Sequence, residues 1–117
     1  MKTTDLRLGN YIDKYGKPIK VDFGILQKIE NGSVIYKPIP LTEEYLLKFG
    51  FMVLEDEGDV KHYCKYKYDI TWHDGNDFYF GIRDLNGSIY SLIQIFTVHQ
   101  LQNLFYAIVG DELTLTE

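Results

Sequence analysis

The chain has 117 residues, enough for one domain that buries about two thirds of the surface its unfolded form exposes. Twelve Lys and Arg against 17 Asp and Glu leave a net charge of −5, which suits solubility and argues against a dedicated nucleic-acid binder, whose charge is usually basic overall or in a stripe. Ten Tyr and seven Phe tilt the composition toward pleated, half-buried surfaces, and a single cysteine, Cys64, excludes an internal disulfide. The start, MKTTDLRLGN, turns polar at once instead of forming an apolar leader, so a cytoplasmic protein is expected.

Leu6–Ile12 reads as a short strand with a glycine irregularity at Gly9, followed by a turn at Tyr15-Gly16-Lys17-Pro18. Ile19–Phe23 alternates apolar and charged residues, as a half-buried strand does. Gly24 bends the chain, Ile25–Ile29 is taken as a third strand, and Asn31-Gly32 signals a hairpin whose return strand is Ser33–Lys37. Four short strands with tight turns predict a small antiparallel sheet, with an SH3-like curl as one form of it.

Pro38-Ile39-Pro40 is an extended connector into a short helix, Leu41–Gly50. Thr42 stands at its N-cap, Glu43 and Glu44 at the positive end of its dipole, Lys48 in the last turn and Gly50 just past the end. Phe51–Leu54 is a strand, and Glu55–Asp59 an acidic turn. His62–His73 then alternates over twelve residues, which predicts one long strand with His62, Cys64, Tyr66, Tyr68, Ile70 and Trp72 on one face. After a turn at Asp74–Asp77 come two more alternating runs, Phe78–Arg83 and Ile89–Phe96, joined by the turn Leu85–Ser88.

The last segment, Thr97–Gly110, is a helix opened by a capping box, Thr97 with Gln100, and closed by glycine. Leu101, Leu104, Phe105 and Ile108 share a face that is expected to cover the sheet, with Val98 and Val109 at its ends. The predicted fold class is α+β: a small N-terminal antiparallel sheet, a short helix, an antiparallel meander and a long C-terminal helix packed on sheet. It forms a single domain, 1–117, made of a β-rich part, 1–40, and an α-β-β-β-α part, 41–117.

Three stretches, LRLGNYI, PIPLTEEYLLKFGF and VHQLQNLFYAIVGDELTL, resemble short proteins encoded by phages, prophages and mobile elements of gut Bacteroidota. The resemblance covers the beginning, middle and end of the chain and leaves 51–95 the least typical part. It implies a small accessory protein of a mobile element and brings no catalytic residue with it.

The chemistry-bearing residues are few. His62 and Cys64 lie two apart on one strand face, but only His73 and His99 remain as histidine partners and there is no second cysteine, so no metal site and no cofactor is expected. Walker, dinucleotide and Gly-x-Ser-x-Gly motifs do not occur, and the carboxylates of 55–59 read as a solvated turn, so the chain is expected not to be an enzyme. Between Leu85 and Gly110, 26 residues, there is no Asp, Glu, Lys or Arg, which marks this stretch as one that something covers. Its polar residues interrupt it too often for a membrane span.

On the far side of the last helix His99, Gln102, Asn103 and Tyr106 form a polar, uncharged face, read as a docking surface for a host or phage protein or for a second copy in a homodimer. The rival reading of the same face is internal, with the helix sandwiched and its amides bonded to backbone. The alternative function is single-stranded nucleic-acid binding by Tyr63, Lys65 and Lys67 in a row on the long strand, with Tyr79 and Arg83 beside them. A structural homo-oligomer is a third reading.

Overall fold

The structure, a computed structural model, describes residues 6–32, 36–73 and 77–116. It is α+β, with seven strands and three helices among the described residues. The chain divides into two compact units, Met1–Pro40 with Thr97–Leu113, and Leu41–Phe96 with Thr114–Glu117. The expected 41–117 part is therefore split, because its last helix belongs with the N-terminal strands.

In the first unit β1 (Tyr11–Lys14) and β2 (Lys17–Lys20) form an antiparallel hairpin with Ile12 opposite Ile19 and Lys14 opposite Lys17. The two residues at its tip, Tyr15 and Gly16, have φ of 52° and 84°. Positive φ at both positions gives the turn whose twist matches that of paired strands. Glycine takes this conformation freely, whereas a residue with a Cβ is disfavoured there by about 1–2 kcal/mol. On the other side of β1, Asp13 and Lys37 exchange backbone hydrogen bonds of 2.8 and 3.0 Å.

The expected third strand is instead a helix, α1 (Phe23–Asn31). Asp22 accepts the Ile25 N–H at 2.8 Å, and Gly32 ends the helix with φ of 67°. Ile25, Leu26 and Ile29 follow helical spacing, and all three pack against buried Ile12, Val21 and Tyr36. Asn31-Gly32 is thus a helix end and not a hairpin turn. The expected four-strand, SH3-like sheet reduces to two strands, and of its return strand Ser33–Ile35 lies outside the described residues.

The last helix, α3 (Val98–Val109), lies against β1. Its caps are the expected ones: the Thr97 hydroxyl accepts the Gln100 N–H at 3.3 Å, and Gly110 takes a φ of 86°. Its buried face is Val98, Leu101, Gln102 and Phe105, while Leu104 is half-buried and Ile108 exposed. The helix is rolled from the expected leucine face toward Gln102.

In the second unit α2 (Glu43–Lys48) begins at Thr42, whose hydroxyl makes no capping bond, and buries Leu46. Five strands follow in meander order: β3 (Met52–Asp56), β4 (Val60–Lys65), β5 (Tyr68–His73), β6 (Asp77–Arg83) and β7 (Ile89–Ile95). The expected long strand His62–His73 is two strands folded back at Tyr66-Lys67, where Tyr66 has a φ of 58°. The turn expected at Asp74–Asp77 falls, but for Asp77, outside the described residues.

The fold-back sorts the sheet into two faces. Tyr63, Ile70 and Phe80 stand side by side on one, and all three are buried. His62, Thr71 and Tyr79 stand side by side on the other. At β4 this first face meets α2 and the residue that ends it: the Tyr63 hydroxyl donates to Glu43, and Lys65 Nζ donates to the Phe49 carbonyl at 2.7 Å. Burial, and then the Glu43 carboxylate beside it, push the Tyr63 hydroxyl well above the ordinary tyrosine range. Among the described residues no helix is long and apolar enough to cross a membrane.

Candidate functional site

Three groups of residues carry enough chemistry to be weighed as sites. The first is the polar side of α3. Gln102 is fully buried there, so it is corrected from a surface residue to an internal brace. Its Oε1 accepts the Tyr11 N–H at 2.8 Å, and its Nε2 donates to the carbonyls of Gly9 and Leu113, each at 3.1 Å. One side chain thus satisfies three backbone groups from both ends of the chain, which no apolar residue could do.

Asn103 is drawn into the same network. Its Oδ1 accepts from Asn10 Nδ2 at 2.8 Å and from Arg7 Nε at 3.1 Å. The Arg7 fork is paired with Glu112 at 2.5 and 3.2 Å, and its guanidinium lies 4.3 Å from the centre of the Tyr106 ring. His99 is half-buried. Of the four expected docking residues, only Tyr106 is exposed, at 46%. Ile108, expected to be buried, is 42% exposed beside it, and Ala107 between them is exposed too. The outward surface of α3 is therefore its C-terminal half, and it carries no charge.

The second group is the expected nucleic-acid platform, which the fold-back takes apart. Tyr63 is buried with its hydroxyl bonded to Glu43 of α2, and Lys65 is spent on the Phe49 carbonyl. Tyr79 faces the opposite way from Tyr63, edge-on to His73 with ring centres 5.5 Å apart. Lys67 and Arg83 do come together: the Arg83 N–H donates to the Lys67 carbonyl at 2.8 Å, and both border a shallow recess of about 450 Å³ with Ile82, Asp84 and Leu85. The row of Tyr63, Lys65 and Lys67 on one open face is not formed.

The third group lies on the second sheet face. Asp69 is fully buried and faces His62 Nδ1 at 3.1 and 3.2 Å, the Thr71 hydroxyl at 3.2 Å and Arg83 Nη2 at 4.0 Å. A buried carboxylate needs such partners. The order is not that of a nucleophilic triad, in which hydroxyl and carboxylate address opposite ring nitrogens. Here Asp69 and Thr71 both sit at Nδ1 of His62. Cys64 stands opposite Asp69 in the register, half-buried and unbridged. Among the described residues no three His, Cys, Asp or Glu side chains gather as metal ligands, and His62 and Cys64 are not joined by His73 or His99.

No family model, curated protein or solved structure matches this chain. Arg7, Asn10 and Glu112 were not foreseen as partners of α3. Nothing in the local sequence marks them, because the bonds join positions 93 to 105 residues apart.

Proposed function

We propose that this chain is a non-catalytic, cytoplasmic accessory protein of a phage or mobile element that acts by docking on a host or phage protein through α3. Inhibition of a host enzyme or of a defence protein is one form of that role. The observation that carries the reading is the exposure of Tyr106, Ala107 and Ile108 on a helix without one charged residue. Solvated helix faces are normally dressed with Lys and Glu, whereas the centres of interfaces are depleted of charge and rich in tyrosine. Tyr106 is held in place by Arg7, so its ring is presented without further ordering. The partner this chemistry suits is a protein with an uncharged groove wide enough for one helix.

The test is capture of partners from nuclease-treated lysate by tagged wild type and by Ile108→Glu. A stoichiometric protein held by wild type and lost from the variant is expected. The same proteins on both baits, or none on either, would contradict docking through this face. A mass in solution that rises with concentration, and falls back in Ile108→Glu, would identify the partner as a second copy of the chain.

A further inference from the structure

Two of the described non-glycine residues have positive φ, and both are tyrosines at hairpin tips, Tyr15 between β1 and β2 and Tyr66 between β4 and β5. Neither ring is buried: Tyr15 is 81% exposed and Tyr66 68%. Each is flanked by lysine, in Lys14-Tyr15-Gly16-Lys17 and in Lys65-Tyr66-Lys67. Asparagine or glycine would fit the tip of either turn better, and a small polar residue would suit an exposed site better.

The first tip adds another local conflict. Lys14 and Lys17 are direct cross-strand partners, a like-charge pair that works against the hairpin. Among the described residues no carboxylate forms an ion pair with Lys14, Lys17 or Lys20. By contrast Arg7, Lys48 and Lys61 are each paired with an acid. The Asp13 carboxylate supports this turn by accepting the Gly16 N–H at 3.4 Å. A backbone strained at one residue, an exposed ring and a like-charge pair still coincide in four residues, more local conflict than the turn itself needs.

We propose that the tip of the β1–β2 hairpin is a contact for single-stranded nucleic acid, in which an unpaired base stacks on Tyr15 and the adjoining phosphates lie against Lys14 and Lys17. The phosphates relieve the lysine pair, and the base covers the ring. A duplex supplies the phosphates but not the unstacked base, so the tyrosine selects the single strand. An acidic peptide supplies charge but no base to stack. This contact is independent of docking through α3 and replaces the strand-face platform that the fold-back of β4 and β5 dismantles.

The experiment is fluorescence anisotropy of labelled oligothymidine, alone and annealed to its complement, titrated with the full chain over a range of salt. The single strand is expected to bind more tightly than the duplex, with a log–log salt slope of about −1.4 for two phosphate contacts. Tyr15→Asn, which relaxes the turn and so leaves the melting temperature unchanged or higher, is expected to weaken single-strand binding about tenfold, while Tyr15→Phe retains it. Lys14→Glu with Lys17→Glu is expected to abolish it. No binding at the lowest salt, equal binding by wild type and Tyr15→Asn, or equally strong competition by polyglutamate would each overturn the proposal, the last in favour of an acidic-peptide contact.

Discussion

Gln102 shows how far one side chain can change the meaning of a surface. Its amide answers the Tyr11 N–H and the carbonyls of Gly9 and Leu113 at once, so replacing it strands three backbone groups. Gln102→Glu keeps the shape but removes the donor, and leaves a carboxylate facing two carbonyls. It is expected to destabilise the fold by at least about 2 kcal/mol in a urea titration. A cost under half of that would mean the brace is not as buried as described. Tyr63 gives a prediction with a sign in pH. Its hydroxyl donates to Glu43, and burial with that carboxylate raises its pKa in the folded state. The unfolded tyrosine loses its proton near pH 10 while the folded one keeps it, so the unfolded state is favoured as pH rises past that point. Wild type is expected to exceed Tyr63→Phe in stability by about 1 kcal/mol at neutral pH, and the gap is expected to narrow above about pH 10. A gap that stayed constant to alkaline pH would contradict this account.

At the level of elements, legibility followed punctuation. α2 and α3 were readable because Thr42, Gly50, Thr97 and Gly110 bracket apolar periodicity, and β6 and β7 because strict alternation lies between turn residues. α1 was misread although its signals were present: Asp22, Lys28 and Gly32 bracket it as cap, last-turn cation and terminator. The Asn31-Gly32 pair spells a hairpin equally well, and nothing local decides between the two; the packing of Ile25, Leu26 and Ile29 on Ile12 and Val21 does. Asp22→Ala is expected to cost about 1 kcal/mol and to lower helical ellipticity, an effect a strand at 25–29 would not show. The fold-back at Tyr66-Lys67 had no signal of any kind. Cys64-Lys65-Tyr66-Lys67-Tyr68 holds no Gly, Asn, Asp or Pro, and its alternation runs unbroken through the turn. That one unmarked turn undid the nucleic-acid platform.

Across the whole molecule the net charge of −5 is unevenly shared. The first unit has seven Lys and Arg against six Asp and Glu, and the second five against eleven. The charge-free stretch from Leu85 to Gly110 runs across both, as β7 in the second and α3 in the first. Its amphipathic pattern was legible as a helix, but not which side would be inside, because Leu104 and Ile108 satisfy helical spacing as well as Leu101 and Phe105 do. The side was decided by Arg7, Asn10 and Glu112, residues about a hundred positions apart in the chain. The two ends of the chain meet in this network. The braced side of α3 is explained by the architecture it holds, whereas Tyr106, Ala107 and Ile108 stay exposed on the other.

That division of α3 into a braced side and a bare one is the central claim, and thermal melting of Gln102→Glu and Ile108→Glu beside wild type tests it most directly. The account predicts that Gln102→Glu melts several degrees lower while Ile108→Glu stays within about 0.5 kcal/mol of wild type. A large loss of stability in Ile108→Glu would show that this face is already covered within the chain, and docking through α3 would have to be abandoned.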